Sequence, residues 1–178
     1  MTTDNRRANT KKAIQNAMVT LLKTKSFDDI TTTKLAKEAG ISRSSFYTHY
    51  KDKFELIDSC QQTLFNQIEY IFEKHVGDKE AAFLEIFDFL KREQLLSALI
   101  SANGTREFQT FIVNKVRLFI NTDFQRRFKR EKLTPVEAEY SSIYLASAFF
   151  GLCQAWIANG KKESPRQMTN LVLKLLPM

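Results

Sequence analysis

The sequence has few of the residues that break helices or build turns. Five glycines and three prolines occur among 178 residues. An all-β sandwich or barrel needs a turn about every 8–12 residues, so this composition argues against both classes. It also leaves no room for a glycine-rich phosphate loop. The chain is nevertheless 43% hydrophobic and 12% aromatic, which is enough to bury a core and excludes a disordered protein.

Cysteines and long apolar runs are also scarce. Cys60 and Cys153 stand singly among apolar neighbours, which predicts core packing rather than a metal or redox site and fits a reducing cytoplasm. The first ten residues carry no apolar segment of the kind found in secretory signals. The longest apolar stretch, 143–158, is shorter than the roughly 20 residues of a membrane span. We therefore expect a cytoplasmic protein without a membrane segment, and a helix over 143–158 buried between other helices.

Positive charge is concentrated at the amino-terminal end of the chain. Residues 1–53 hold 11 Lys and Arg against 5 Asp and Glu, whereas residues 54–178 hold 16 against 15. A basic end on a nearly neutral body predicts a module that binds a polyanion such as nucleic acid.

Apolar residues recur at helical spacing along the whole chain, and no segment shows the alternation of a strand. The pattern predicts an all-α fold of about nine helices. We expect an N-terminal three-helix domain over residues 1–53 and a larger helical domain over residues 54–178.

A helix-turn-helix is indicated over residues 31–50. Thr31 can cap a helix that ends at Gly40, a residue suited to the left-handed conformation that terminates helices. Ser42 can then cap a short third helix. Two short helices joined by such a corner form the motif that places its second helix in the major groove of DNA.

The third helix has an inner and an outer face. Phe46 and Tyr50 are four residues apart and are expected to pack inward, which turns Arg43 outward, where its planar fork can pair with guanine or phosphate. The hydroxyls and free N–H groups of Thr32 and Thr33 suit phosphate. The predicted DNA contacts are Thr32, Thr33, Arg43, Ser44, Ser45, Tyr47, His49 and Lys53.

Residues 30–53 closely resemble the DNA-binding motif of TetR-type regulators. The matching features are the threonine run, Ala36, Gly40, Ser42, the Phe46–Tyr47 and His49–Tyr50 pairs, and Lys53 followed by Leu56. The resemblance covers about residues 9–60. Trp156, Asn159–Gly160 and Ser164–Pro165 further resemble a subgroup that regulates dihydroxyacetone metabolism.

The resemblance implies a homodimeric transcription regulator, usually a repressor, that binds a palindromic double-stranded operator. It implies the eight DNA contacts named above and a small-molecule effector of unknown identity that binds the larger domain. The family often has a basic residue where Thr33 stands, so the phosphate contact at that position departs from its pattern.

The last two long helices are predicted to form the dimer interface. Ser147, Gly151 and Ala155 recur every fourth residue and would let a partner helix approach closely. An apolar stripe on the final helix would complete a four-helix interface. The predicted interface residues are Ser147, Gly151, Ala155, Leu171, Val172 and Leu175.

Polar residues near apolar segments are candidates for an effector pocket, namely Asn103, Tyr144 and Gln154. Carboxylates are scattered without a convergent His or metal spacing, so we predict no enzyme activity, no cofactor and no metal.

Three alternatives stay open at the level of sequence. The same charge would suit a non-specific nucleic-acid or nucleoid-type protein, and the same fold would suit an activator or co-activator. Arg6, Arg7, Lys11 and Lys12 fit either added phosphate contacts or a solvated basic tail.

Overall fold

A computed structural model describes the backbone of residues 3–131 and 133–175 and the side chains of residues 5–118 and 133–175. These residues form nine helices and no strand, so the predicted all-α fold is confirmed. The helices are α1 (Thr3–Leu22), α2 (Thr32–Glu38), α3 (Arg43–Tyr47), α4 (Lys53–Lys74), α5 (Lys79–Arg92), α6 (Gln94–Ile100), α7 (Arg106–Glu131), α8 (Pro135–Ala158) and α9 (Pro165–Leu175).

The chain divides into two compact units. The first contains the residues up to Gln67 together with Glu93–Thr105. Its core forms because α1 is amphipathic and packs against α2 and α6, while α2 packs against α3. The side chains at its centre are fully or almost fully buried, and they are Ile14, Met18, Leu22, Leu35, Phe46, Leu56, Leu96 and Leu99.

This division differs from the domain boundary predicted at residue 53. Leu56, Ile57 and Cys60 lie on α4 and are buried, and α4 as far as Gln67 belongs to the first unit. The segment 93–105 also belongs to it, because α6 packs on α1. Local periodicity shows that a helix forms, but it does not show which distant helix it packs against.

The second unit contains Ile68–Arg92 and the residues from Arg106 onwards. Within it α7 packs on α8, and α5 packs on α9. An aromatic cluster joins α5 to α8: Phe87 meets Trp156 edge-on with ring centroids 5.3 Å apart, and Phe83 lies 5.3 Å from Phe149. Trp156 is anchored further by its indole N–H, which donates to the Glu163 carbonyl at 3.1 Å.

The expectation that the apolar helix at 143–158 is buried between other helices is wrong for the single chain. Among the described residues, α8 alone has the length and apolar composition that could cross a bilayer, yet only 28% of its most apolar window is buried. The core helix of a soluble protein can have the same length and apolar composition, so these two properties are weak evidence for a membrane span. Tyr140 and Tyr144 are 68% and 71% exposed. One side of α8 is therefore apolar and uncovered.

Gly104 provides a test of the packing in the first unit. A Cβ at this position would lie 1.8 Å from the Leu99 carbonyl oxygen, so Gly104→Ala must displace the backbone of α6 or of the following turn. We expect the free energy of unfolding to fall by about 1–3 kcal/mol, measured by urea denaturation. Ala102→Ser, at an exposed position in the same turn, is the control. Equal urea midpoints for the two variants would contradict the packing described here.

Candidate DNA-binding surface

The corner between α2 and α3 has the backbone geometry that the glycine predicts. Gly40 has a φ of +67°, a left-handed conformation that side-chain-bearing residues rarely adopt. The N–H of Ile41 then donates to the Ala36 carbonyl at 3.0 Å and closes the end of α2. Ser42 caps α3, since its Oγ accepts from the Ser45 N–H at 3.0 Å. The corner therefore fixes the direction in which α3 leaves α2.

Two aromatic residues hold the inner side of α3, namely Phe46 on the helix and Tyr50 three residues past its end. Phe46 is completely buried and Tyr50 is 3% exposed, and their ring centroids lie 6.0 Å apart. Burying an aromatic side chain of this size contributes roughly 1.5–3 kcal/mol, so α3 has one strongly preferred orientation. Arg43, Ser44 and Tyr47 on the same helix are exposed, on the sides turned away from the buried Phe46.

Arg43 and Tyr47 lie on the outer face of α3 and contact each other. A guanidinium N–H of Arg43 donates to the Tyr47 hydroxyl at 3.4 Å, and the guanidinium lies 6.0 Å from the centre of the Tyr47 ring. The hydrogen bond from Arg43 lowers the pKa of the Tyr47 phenol. Tyr47 is 49% exposed. Both side chains are therefore accessible to a partner, as a DNA contact requires.

The predicted serine and threonine contacts are also at or near the surface. Ser44 and Thr33 are exposed, and Ser45 and Thr32 are half-buried. The Ser44 hydroxyl lies 2.9 Å from that of Ser42. Their contacts with DNA remain predictions.

His49 lies among positive charges contributed by α1. It is half-buried, and its Nδ1 is buried without a hydrogen-bond partner. Burial lowers the pKa of His49, and the charges of Arg7 and Lys11 lower it further. The ammonium of Lys11 also lies 5.7 Å from the centre of the Tyr50 ring. Arg7 and Lys11 therefore add to the basic surface beside α3. From the sequence alone, a solvated basic tail is an equally good interpretation of these residues.

Lys53, for which a phosphate contact is predicted, has internal partners in the first unit. Its ammonium donates to the carbonyl oxygens of Phe27 at 2.7 Å and Asp28 at 3.1 Å. It also lies 4.5 Å from the centre of the Phe27 ring. Burial lowers the pKa of the Lys53 ammonium, and the nearby carboxylates of Asp28 and Asp29 partly oppose this effect. Sequence spacing gave no signal for these contacts, because residues 27 and 53 are separated by two helices.

Five of the six residues predicted for the dimer interface are exposed. Ser147, Gly151 and Ala155 are exposed along α8, and Leu171 and Leu175 are exposed on α9. Val172 differs from these five, and its place in the interface remains a prediction. It is only 6% exposed, because the side of α9 that contains it packs inside the second unit. Burial in the single chain leaves little of its surface for a partner.

The three residues predicted to line an effector pocket lie in different units, and their role remains a prediction. Asn103 belongs to the first unit, where its side-chain amide donates to the Leu22 carbonyl at 2.9 Å and so caps the end of α1. Tyr144 is 71% exposed, and Gln154 is half-buried. A surface groove of about 450 Å³ in the second unit is lined instead by His75, Ala81, Leu84, Glu85, Asp88, Lys91 and Arg92.

Two family models match this chain. Residues 14–60, which contain α2 and α3, match the family described as bacterial regulatory proteins, tetR family. Residues 77–177, more than half of the chain, match the family described as transcriptional regulator C-terminal region, TetR_C_8. The chain belongs to the TetR family. It is a DNA-binding transcriptional regulator. The TetR family is a family of transcriptional regulators and not of enzymes.

Curated relatives of this TetR-family chain are regulators and nucleoid factors. The uncharacterized HTH-type transcriptional regulator YxbF of Bacillus subtilis is 22% identical over 92% of the chain, which spans 43% of the length of YxbF. The nucleoid occlusion factor SlmA of Mannheimia succiniciproducens is 24% identical over 80% of the chain and 73% of its own length.

Solved structures share the fold of this TetR-family chain. The fatty acid degradation regulator FadR from Bacillus halodurans has a TM-score of 0.69 at 12% identity, covering 93% of each chain. NalD from Pseudomonas aeruginosa has a TM-score of 0.67 at 21% sequence identity, covering 96% of this chain and 94% of NalD. The dihydroxyacetone kinase operon activator DhaS has a TM-score of 0.55 at 17% sequence identity, covering 93% of each chain. At these identities the likeness shows the fold alone, so the predicted subgroup remains a prediction.

His49 gives a direct test of the charge around α3. We expect its pKa in the free protein to lie below the ordinary value, and Lys11→Gln to raise it, because a charge that disfavours protonation is removed. The measurement is an NMR titration of the imidazole resonances. Lys25→Gln, at an exposed position of the α1–α2 connection, is the control. Equal His49 pKa values in the two variants would mean that Lys11 does not act on this ring.

Proposed function

We propose that this TetR-family regulator is a cytoplasmic homodimeric repressor that binds a palindromic operator through α3 of each subunit. The observation that carries the proposal is the exposure of Arg43, Ser44 and Tyr47 on a helix whose opposite face is held by the buried Phe46. A helix of this kind fits the major groove, where its N-terminal residues reach the base edges.

Roles within this surface follow from side-chain chemistry. Arg43 carries the donor fork that pairs with the O6 and N7 atoms of guanine. Tyr47 and the threonines at the start of α2 offer hydroxyls to phosphate oxygens, which position the protein without reading sequence. Arg7 and Lys11, near His49, supply charge for the same phosphates. The excess of Lys and Arg in residues 1–53 makes binding salt-dependent.

Dimerisation is supported by the uncovered apolar surface of α8 and α9. A Cβ added at Gly151 would meet nothing within 4 Å, so the packing of the single chain gives no reason for glycine there. Glycine inside a helix costs about 1 kcal/mol relative to alanine. The close approach of a partner helix gives that reason, and the exposed Tyr144 and Leu175 would then be covered. Two subunits present two reading helices, which multiplies a modest half-site affinity.

Repression relieved by a small molecule is the regulatory part of the proposal. NalD is named a secondary repressor, and a FadR of Thermus thermophilus is described as a repressor in complex with lauroyl-CoA. An effector of this chain would favour a dimer in which the two α3 helices no longer fit successive major grooves. An activating role keeps the same site, and DhaS is named an activator.

Sequencing of genomic fragments captured by the purified protein tests the operator. We expect a few enriched regions that share one inverted repeat, whose half-site centres lie about one helical turn apart or a multiple of it. Capture of fragments without a common sequence would contradict the proposal.

A role in nucleoid organisation is a second candidate, because several relatives are named nucleoid occlusion factors. It predicts many binding sites spread along the chromosome instead of a few promoter regions, and the same capture experiment distinguishes the two distributions.

Arg43→Ala tests direct reading of a base. Loss of a bidentate contact is expected to cost about 1–3 kcal/mol of binding free energy on the captured operator and to relax specificity at one base pair. The measurement is a titration of operator duplexes carrying each base at each position. Lys37→Ala removes an exposed positive charge from α2 and should weaken binding without relaxing specificity. Undiminished base discrimination by Arg43→Ala would remove Arg43 from base reading.

Gly151→Glu tests the dimer interface. The carboxylate would be buried without a partner between two α8 helices, so we expect monomers by sedimentation equilibrium and a loss of operator affinity. Val76→Glu introduces the same charge at a position that is 68% exposed outside the helices and should leave the dimer intact. A dimer that survives Gly151→Glu would place the interface elsewhere.

A further inference from the structure

The connection between α1 and α2 is held by residues from two later parts of the chain. Residues 23–31 contain no helix and start where Asn103 caps α1. The backbone carbonyl of Asn103 also accepts from the Phe27 N–H at 2.8 Å. One residue of the α6–α7 connection thus bonds both the last turn of α1 and the middle of the α1–α2 connection.

Lys53, at the start of α4, holds the same connection through charge. Its ammonium bonds the carbonyls of Phe27 and Asp28, and it lies within 5.3 Å of the centre of the Phe54 ring. Phe27 and Phe54 pack edge-to-face with centroids 5.5 Å apart. A hydrogen bond from a charged ammonium to a carbonyl is stronger than one from a neutral donor. Lys53 therefore stabilises one path of the backbone in this connection.

The held segment leads directly into α2. The N–H of Ile30 donates to the Phe27 carbonyl at 3.1 Å, and Ile30 is 1% exposed. Thr31 follows and caps α2, its Oγ1 accepting from the Lys34 N–H at 3.3 Å. The position of the Thr32 hydroxyl therefore depends on where the connection is held.

We propose that Lys53 and Asn103 are positioning residues for DNA binding, which fix the 23–31 connection so that Thr32 and Thr33 meet the phosphate backbone. The inference rests on the proposed operator binding by this unit. It assigns Lys53 an internal partner instead of the phosphate contact that the sequence pattern predicts, and it gives Asn103 a role in DNA binding without any contact to DNA.

The test uses two variants of the 178-residue chain that keep side-chain size while removing the polar groups. Lys53→Met keeps an unbranched side chain of similar length but has no ammonium, and Asn103→Leu has no amide. Each is expected to bind the captured operator about tenfold more weakly, which corresponds to about 1.4 kcal/mol. The salt dependence of binding should stay unchanged, since neither variant removes a phosphate-neutralising charge.

Amide hydrogen exchange of the free protein supplies a measurement that does not depend on DNA. Both variants should exchange faster at Phe27, Ile30 and Lys34, while the amides of Phe46 and Tyr50 on the α3 side should be unaffected. Lys53→Arg should restore part of the operator affinity because it returns donors to the two carbonyls. Lys174→Met, an exposed lysine at the end of α9, should match the wild type in both measurements.

Two results would overturn the inference. A salt slope reduced by about one in Lys53→Met, with unchanged exchange over residues 27–34, would show a direct phosphate contact. Wild-type operator affinity in Asn103→Leu would show that the side chain of Asn103 is not a positioning residue. If the wild-type protein binds no duplex, the proposed function fails, and the exchange data alone then decide whether the two residues hold the connection.

Discussion

The burial of Phe46 determines what the rest of the DNA-binding unit can present. Its ring has no solvent-exposed surface and lies against Tyr50, so α3 cannot rotate without exposing a large aromatic side chain. Removal of such a ring costs about 3–5 kcal/mol, which is a large fraction of the 5–15 kcal/mol that stabilises a typical domain. The outward orientation of Arg43 and Tyr47 is therefore a consequence of core packing. The contacts at the corner, through Gly40 and Ser42, fix the same orientation from the other end of the helix.

In the second unit, by contrast, apolar surface remains exposed outside the core. The aromatic cluster around Phe87 and Trp156 fills the interior, whereas Tyr140, Tyr144 and Leu175 stay more than half exposed. Soluble proteins rarely leave contiguous apolar patches uncovered. In the proposed dimer a second copy of the chain would cover this surface, and it would also present a second reading helix to DNA. The proposal therefore makes DNA affinity depend on the oligomeric state.

Local patterns predicted most of the fold and the outward face of α3, because helix periodicity and capping act over a few residues. They did not predict contacts between residues far apart in the chain. The motif predicts a phosphate contact for Lys53, but it gives no signal for the bonds to carbonyls 25 and 26 residues earlier. The sequence predicts a pocket role for Asn103 and gives no signal for its bond to Leu22, 81 residues away. Val172 shares the apolar stripe of its helix with Leu171, and only the packing of α9 shows which of the two is buried.

The most direct test of DNA binding through α3 is backbone amide exchange of the protein, measured with and without the captured duplex. With DNA bound, the protein is predicted to gain protection over residues 32–33 and 43–49 relative to the free protein, together with any protection that follows from tighter dimerisation at α8. Tight binding to the duplex with unchanged exchange over residues 43–49, and new protection only in other parts of the chain, would contradict the account.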